Sequence, residues 1–405
     1  MQSLIHGNFE GKAQASAYAL VGAAAAIAAA VGPLIGGFIT TYLSWRVGFL
    51  LEVVIIAVVL SGINLVKDVP YTGPRGVDAV GAVFSVLGMG GVVLGILVWQ
   101  EGGERVGALI VIGVLALVAL GYWLIRRKRE GKLTLLDPDL FASQHFRIGV
   151  SQQMLQQIAL GGMMIALPIF LQMVLEYNAM LAGLSLAPLS LSMFAIALLA
   201  GKRAGKRRPS IVIRAGFALL TVGVLLLILV VPRAEAGWYL AIPLIIAGSG
   251  LGMLVSQLNN FTLAPISEER ISEAAGVNSA AGNFGLSFGL AFAGAIMLAT
   301  LAFLFTSMSE ESTVLSPDQQ QRVAMALEED AQVMSNTQLQ EVLAGQPQET
   351  QEEIIRINTD VRPRALQVAL LIPLFAGVAG LVLSFRSVRL PDIAPTASLE
   401  GVLGS

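Results

Sequence analysis

Apolar positions run through this chain in long stretches that no formal charge interrupts. Segments free of Asp, Glu, Lys and Arg cover residues 13–45, 79–100, 106–125, 148–175, 177–201, 215–232, 236–267, 274–309 and 365–385. A tenth segment, 47–66, is equally apolar but holds Glu52. A helix crosses the hydrocarbon layer with about 20 mostly apolar residues, whereas a barrel strand uses only about 9–11 alternating ones. Periodicity does not separate helix from strand in such runs, but their length does. They predict about ten transmembrane helices and an all-α integral membrane fold.

Composition sharpens that picture. Of 405 residues, 55% are hydrophobic and only 13% are charged, against about 25% charged in an ordinary soluble domain. The 43 glycines agree, because glycine is more frequent in membrane helices than in soluble ones. Cysteine is absent, which removes disulfides, thiolate metal sites and cysteine nucleophiles. The two histidines, His6 and His145, stand far apart, so no imidazole-based metal or haem site is expected. No nucleophile–base pair, phosphate-cradling loop or nucleotide-binding motif occurs either. The chain therefore reads as a non-enzyme without cofactors, and any transport it performs draws on a gradient. No nucleic-acid partner is expected, since no basic patch has aromatics beside it.

Charge placement predicts orientation. Loops on the side of both termini hold eighteen of the Lys and Arg residues, including Arg126–Arg129, Arg147, Lys202–Arg208, Arg270, Arg386 and Arg389; the opposite short loops hold Arg46, Arg105 and Arg233. By the positive-inside rule both termini are cytoplasmic, in a multi-pass plasma-membrane protein. One outer segment, at about 307–363, carries eleven acids, from Glu310 to Asp360, against Arg322, Arg356, Arg362 and, at its edge, Arg364. It reads as short amphipathic helices, forming either a solvated acidic cap or a cation-attracting lid.

The first span contains Gly32-Pro33-Leu34-Ile35-Gly36-Gly37. Gly32 and Gly36 form a small-xxx-small face, and Pro33 interrupts the hydrogen-bond ladder. After a short turn the chain continues Trp45-Arg46-Val47-Gly48-Phe49. Here the sequence resembles the major facilitator superfamily, specifically its fourteen-helix drug:proton antiporter branch, with its GPxxGG antiporter motif and WRxxF start of the following helix. The resemblance continues through Ala182-Gly183-Leu184 with Pro188, through Gly276-Val277-Asn278, and through Gly282-Asn283-Phe284-Gly285-Leu286-Ser287-Phe288-Gly289. Where the family's longer motif has further glycines, this sequence has Ala19 and Ala28.

Alignment on that motif makes the first span the family's fifth helix, so the resemblance implies that helices one to four are missing and that the N-terminal bundle is incomplete. Residues 1–66 are then its last two helices, 67–132 two inserted helices, and 133–405 a C-terminal six-helix bundle. The expectation is a fragment of a longer reading frame, with little transport by the chain alone. The resemblance further implies proton-coupled efflux of hydrophobic or amphipathic small molecules by alternating access. An uptake or metabolite carrier of the same fold, and a non-transporting membrane scaffold or receptor, are the competing readings.

Several residues are candidates for such work. Glu52 is the one carboxylate well inside an apolar span; it serves proton coupling, or else snorkels to the outer interface or pairs with Arg46. Gln152, Gln153, Gln156 and Gln157 place amides at i, i+4 spacing, for a substrate path or for interhelical hydrogen bonds. Gln257, Asn260, Asn278 and Asn283 are candidates for the same inner cavity. Met154, Met163, Met164 and Met173 offer an adaptable apolar wall, or are plain packing residues. Lys202, Arg203, Lys206 and Arg207 stand where the family has a cytoplasmic gating loop, here without its aspartate. Gly91/Gly95, Gly248/Gly252 and Gly285/Gly289 predict helix-packing seams.

Overall fold

The computed structural model describes residues 31–32, 34–63, 78–100, 106–202, 208–267, 270–320 and 334–391. Pro33 and Arg203–Arg207 of the sequence motifs lie outside the described residues, as does the Lys202 side chain. Among the described residues the structure is helical, with no strand. Helix α1 covers 31–32 and 34–42, followed by α2 (Trp45–Ser61), α3 (Ala79–Gln100), α4 (Val106–Arg129) and α5 (Gln144–Ile169). Then come α6 (Ala179–Lys202), α7 (Pro209–Val230), α8 (Ala241–Leu263) and α9 (Ile271–Glu310). The last three are α10 (Asn336–Leu343), α11 (Gln348–Ala369) and α12 (Leu371–Ser387). Eight segments among the described residues are long and apolar enough to cross a membrane, from 79–98 to 348–387.

Polar side chains start these helices at the ends of the apolar runs. The Ser44 hydroxyl accepts from the Arg46 N–H at 3.3 Å ahead of α2, and the Asp78 carboxylate accepts from the Gly81 N–H at 3.0 Å ahead of α3. Ser143 does the same for the Phe146 N–H at the start of α5. Each satisfies one of the donors that a helix N-terminus leaves unpaired.

Helices α5 to α9 and the α11–α12 pair surround one core that includes Met163, Phe170, Phe217, Leu244, Leu251 and Leu366. Glycines set how closely they approach. A Cβ at Gly285 or Gly289 on α9 would lie 2.5 or 2.4 Å from the carbonyl oxygens of Met154 or Ile158 on α5. A Cβ at Gly248 or Gly252 on α8 would lie 2.3 or 2.4 Å from those of Leu189 or Met193 on α6. Backbones that touch this closely replace the hydrophobic driving force that lipid does not supply. The α3–α4 hairpin uses Gly91 and Gly95 in the same way, and it lies against α9 through Val92, Ile96, Ala291 and Ala295.

The acidic outer segment departs from the expectation of short helices alone. Its second half is the 22-residue α11, joined at Leu370 to α12, so helix continues from 348 through the apolar run 365–385 to 387. Ile354, Ile357, Val361 and Ala365 recur at helical spacing and are buried in the main core, whose outer end holds Leu301 and Phe305 of α9. That apolar stripe, not net charge, decides the helix. At 1.5 Å per residue the 40-residue α9 is about 60 Å long, roughly twice the hydrocarbon thickness. It projects past the bilayer with α11 beside it.

Helices α1 and α2 stand apart. α2 has no buried residue, and α1 meets the bundle where a Cβ on Gly37 would lie 2.6 Å from the Ala179 carbonyl and where Thr41 Oγ1 accepts from the Met180 N–H at 2.9 Å. The expected close approach at Gly32 and Gly36 therefore falls on Gly37; an added Cβ at either of the other two meets nothing within 4 Å.

Candidate functional site

The glutamines of α5 divide by pair. Gln152 is fully buried, and its amide nitrogen lies 3.4 Å from the Gly380 carbonyl on α12. Gln153 and Gln157 instead face α9, where a Cβ added at Gly282 would meet both side chains at 3.4–3.6 Å. Glycine at 282 leaves room for these amides beside the α9 backbone. On the neighbouring turn, Asn278 Nδ2 donates to Asn259 Oδ1 of α8 at 2.8 Å. Gln257, at 4% exposure, donates to the Ser256 hydroxyl at 3.4 Å. Along one end of α9, Gln153 and Gln157 of α5 thus lie beside Gly282, and Asn259 of α8 is bonded to Asn278 one turn away.

Part of this polarity has no internal partner. The amide oxygens of Gln152, Gln156, Gln157 and Asn278 are buried and accept no hydrogen bond. Each such atom costs about 1–3 kcal/mol relative to a satisfied one, and a water or ligand carrying donors removes that cost.

Asn283 and Asn260 belong to a different surface. Along α9, Ser279, Asn283 and Ser287 are exposed at i, i+4, i+8 and therefore form one stripe. It rises about 12 Å along the axis. Asn259 and Asn260 of α8 are exposed as well. Hydroxyl and amide groups on the outer surface of a membrane-length helix point to a wet path or a polar partner, since lipid cannot hydrogen-bond to them.

Glu52 sits on α2 among exposed Val, Ile and Leu side chains. It forms no ion pair among the described residues, and Arg46 lies over the Trp45 ring, 4.9 Å from its centre. Of the methionines, Met163 is fully buried while Met164 is 54% exposed, so they do not form one wall.

Two ionic networks escaped sequence reasoning. At the basic face, Asp137 binds Lys128 of α4 and Arg270 ahead of α9, the latter at 2.9 Å, while Glu273 accepts from the Asp137 N–H at 2.7 Å. Nearby, buried Asp78 accepts from the Gly81 N–H, the Trp123 indole and the Leu135 N–H, with Arg127 at 3.9 Å. Burial pushes the Asp78 carboxyl up, but those donors and the guanidinium outweigh it and hold the group below its ordinary value. At the opposite face Arg362, 2% exposed, donates to the Asn358 and Met334 carbonyls at 3.1 Å, to Asn336 Oδ1 at 2.7 Å and to the Met173 carbonyl. Beside it Glu176, at φ 54°, accepts from the Thr337 hydroxyl at 2.5 Å and from the Thr337 N–H at 3.2 Å. The Thr337 hydroxyl is the main cause that lowers the Glu176 pKa, against burial. The only advance signals were an aspartate one residue before an apolar run and an arginine on the apolar stripe of α11.

Comparison with known proteins bears on what a bundle with this interior does. The family model described as "Major Facilitator Superfamily" matches residues 1–76 and 73–290. The chain belongs to the major facilitator superfamily. Its similar relatives include the "Probable actinorhodin transporter" of Streptomyces coelicolor, 26% identical over 281 residues, covering 66% of this chain and 47% of that protein. The "Multidrug resistance protein Stp" of Mycobacterium tuberculosis is 26% identical over 254 residues, 62% of this chain and 46% of that one. The "Uncharacterized transporter YebQ" of Escherichia coli is 28% identical over 261 residues, 63% and 55%. The chain spans about half the length of the curated relatives it matches. Members of this superfamily are transporters, and the all-helical membrane architecture described above fits that class.

Proposed function

We propose that this chain is part of a secondary active transporter that exports hydrophobic or amphipathic small molecules in exchange for protons by alternating access. The observation that carries the reading is the exposed polar stripe Ser279, Asn283 and Ser287 on α9, beside the amides of α5 and α8. Uncharged groups that both donate and accept suit neutral or weakly basic amphiphiles, which need polar contacts without a fixed counter-charge. The names of two relatives, a multidrug resistance protein and an actinorhodin transporter, support export. So does the resemblance of Gly32, Gly36 and Gly37 to the antiporter motif.

Glu52 is the proton-carrying group in this reading. It is a carboxylate among the exposed apolar side chains of α2 with no ion pair among the described residues, and an acid inside an apolar span is a functional candidate by default. The face holding the ends of α4, α12 and the starts of α5, α7 and α9 is cytoplasmic, because its Arg and Lys residues obey the positive-inside rule.

Vesicles containing the full chain, loaded with a lipophilic fluorescent dye and given an imposed pH gradient, test the proposal. Coupled dye and proton movement is expected to be weak in this chain alone, as the incomplete N-terminal bundle implies, and the variants are read against that level. Asn283→Leu combined with Ser287→Leu should reduce it by about tenfold or more, while the melting temperature stays nearly unchanged. Glu52→Gln should abolish the dependence on the gradient and leave dye binding intact. Full coupled transport by the stripe variant would overturn the assignment of the path, and gradient-driven transport by Glu52→Gln would overturn that of the proton carrier.

A further inference from the structure

The cations of the basic face fall into two groups. Those around α4 other than Arg129 are neutralised within the protein: Arg126 and Lys132 by Glu130 at 3.1 and 2.8 Å, Lys128 by Asp137 and Asp139, Arg270 by Asp137, and Arg127 by Asp78 at 3.9 Å. Arg147, Arg386 and Arg389 have no such carboxylate among the described residues. These three line one cavity of about 640 Å³, between the first turns of α5 and the last turn of α12 with the residues just after it. Among the described residues no acidic side chain lines it.

Its other walls are polar Gln144 and Ser151 of α5 and three apolar side chains. Ile148 of α5, Leu383 of α12 and Leu390 also line the cavity. Leu383 lies three residues, about 4.5 Å along the axis, further into α12 than Arg386. On the α12 side Leu383 thus lies inward of Arg386 and Arg389, while on the α5 side the most inward lining residue is Ser151. The N-terminal end of α5 adds its positive dipole on one side. Arg208 closes the rim by donating to the Leu390 carbonyl at 3.2 Å.

Topology alone accounts for arginines at this face, since the positive-inside rule counts charges and is indifferent to their grouping. It does not account for three of them lining one cavity without a carboxylate partner among the described residues, while Arg126, Arg127, Lys128, Lys132 and Arg270 each have one. Converging like charges repel, and a phosphate, which guanidinium binds through paired N–H···O bonds, removes the repulsion. The three apolar side chains distinguish the ligand further: inorganic phosphate has no use for them, whereas a phosphate attached to acyl chains does.

We propose that this cavity is a binding site for the phosphate head group of an anionic phospholipid of the surrounding membrane. The guanidinium groups of Arg147, Arg386 and Arg389 hold the phosphate, and the glycerol and first methylenes lie along Ile148, Leu383 and Leu390. A lipid seated here bridges the start of α5 and the end of α12. The assignment requires only that the chain spans a bilayer and is independent of the transport reading.

The test is a lipid titration of the full chain, purified in detergent and stripped of lipid, followed by native mass spectrometry. Phosphatidylglycerol is the probe, with phosphatidylcholine and inorganic phosphate as separate arms. Binding of phosphatidylglycerol is expected to exceed that of phosphatidylcholine by about tenfold or more. The triple variant Arg147→Gln, Arg386→Gln and Arg389→Gln should lose that preference. A control with Arg126→Gln, Arg129→Gln and Lys132→Gln, which removes as much charge from the same face, should keep it within about twofold. Equal losses in the two triple variants would overturn the site in favour of diffuse attraction. Full displacement of the lipid by millimolar inorganic phosphate would overturn the lipid assignment. If the triple variant does not fold, Arg386→Gln alone is read against the charge-preserving triple Arg→Lys variant: a preference lost in the first and kept in the second supports the site, and a preference unchanged in both overturns it.

Discussion

Helices α2 and α8 are both apolar along most of their length, yet α8 buries twelve residues and α2 buries none. The difference lies in side-chain size. α8 carries Gly248, Gly250 and Gly252, and an added Cβ at each would strike a neighbouring backbone at 2.3–2.6 Å. α2 carries branched residues at most positions and a single glycine, Gly48, whose added Cβ meets nothing within 4 Å. Apolarity takes a helix into lipid, where Leu is as well solvated as in a protein core. Small residues at close spacing take it into a bundle, because only they permit backbone contact.

The sharpest way to break that contrast is a matched pair of substitutions. Gly248→Val should cost several kcal/mol, since the new atoms fall on the Leu189 backbone and Ser192, and overpacking that cannot relax sits at the upper end of point-mutation effects. Gly48→Val should stay within about 0.5 kcal/mol. Thermal unfolding in detergent measures both, and similar values would remove the distinction between the two helices.

Next in size is Arg362→Ala. It strips donors from the Met173, Met334 and Asn358 carbonyls and from Asn336, for an expected loss of about 2–4 kcal/mol. Hydrogen exchange should rise first in α10, which this arginine ties to the outer end of α5. Arg362→Lys should restore only part of the protection, because one ammonium cannot reproduce the fork. Unchanged exchange in α10 would show that the outer cap is held by the apolar stripe of α11 alone.

A smaller effect is expected at the α3–α4 hairpin. Asp78→Asn should destabilise it by about 1–2 kcal/mol, since an amide keeps one acceptor and loses the charge-assisted bonds. The wild-type folded pKa lies below the unfolded value of about 3.9. The unfolded chain therefore takes up protons first as the pH falls. The Asp78 contribution is complete above that value and is lost below it, as the pH passes through the folded pKa. Tryptophan fluorescence of Trp123, whose indole donates to this carboxylate at 3.1 Å, reports the loss, and a transition near neutral pH would contradict the assignment. The smallest effect belongs to Glu52→Gln, whose influence on stability should be within about 0.5 kcal/mol because the side chain is exposed and unpaired among the described residues.

Much of the helical layout was legible beforehand. The charge-free runs 79–100, 177–201 and 215–232 each fall within a few residues of a helix, and the glycine pairs of α3, α8 and α9 occupy helix contacts as their spacing predicts. The boundary of α11 was not legible. Its eleven-acid surroundings obscured a stripe of Ile354, Ile357, Val361 and Ala365 that has meaning only with α9 beside it. The amide cluster was partly legible: Gln153, Gln157 and Asn278 could be nominated as polar residues in apolar runs. That Gln152 turns toward α12, and that Asn283 joins a serine stripe on the outer surface of α9, depends on helix rotation, which uniformly apolar neighbours do not reveal.

By itself the sequence determined membrane residence, helix type, the separation of basic from acidic ends, and family membership. All follow from composition and local spacing, because a bilayer penalises charge and unpaired backbone wherever they occur along the chain. Only the tertiary structure decided which glycines touch a neighbour, which acid holds which base, and that Arg147 meets Arg386 and Arg389 across one cavity. These depend on the rotation and depth of each helix against its partners, and they join residues such as Arg147 and Arg389, 242 positions apart in the chain.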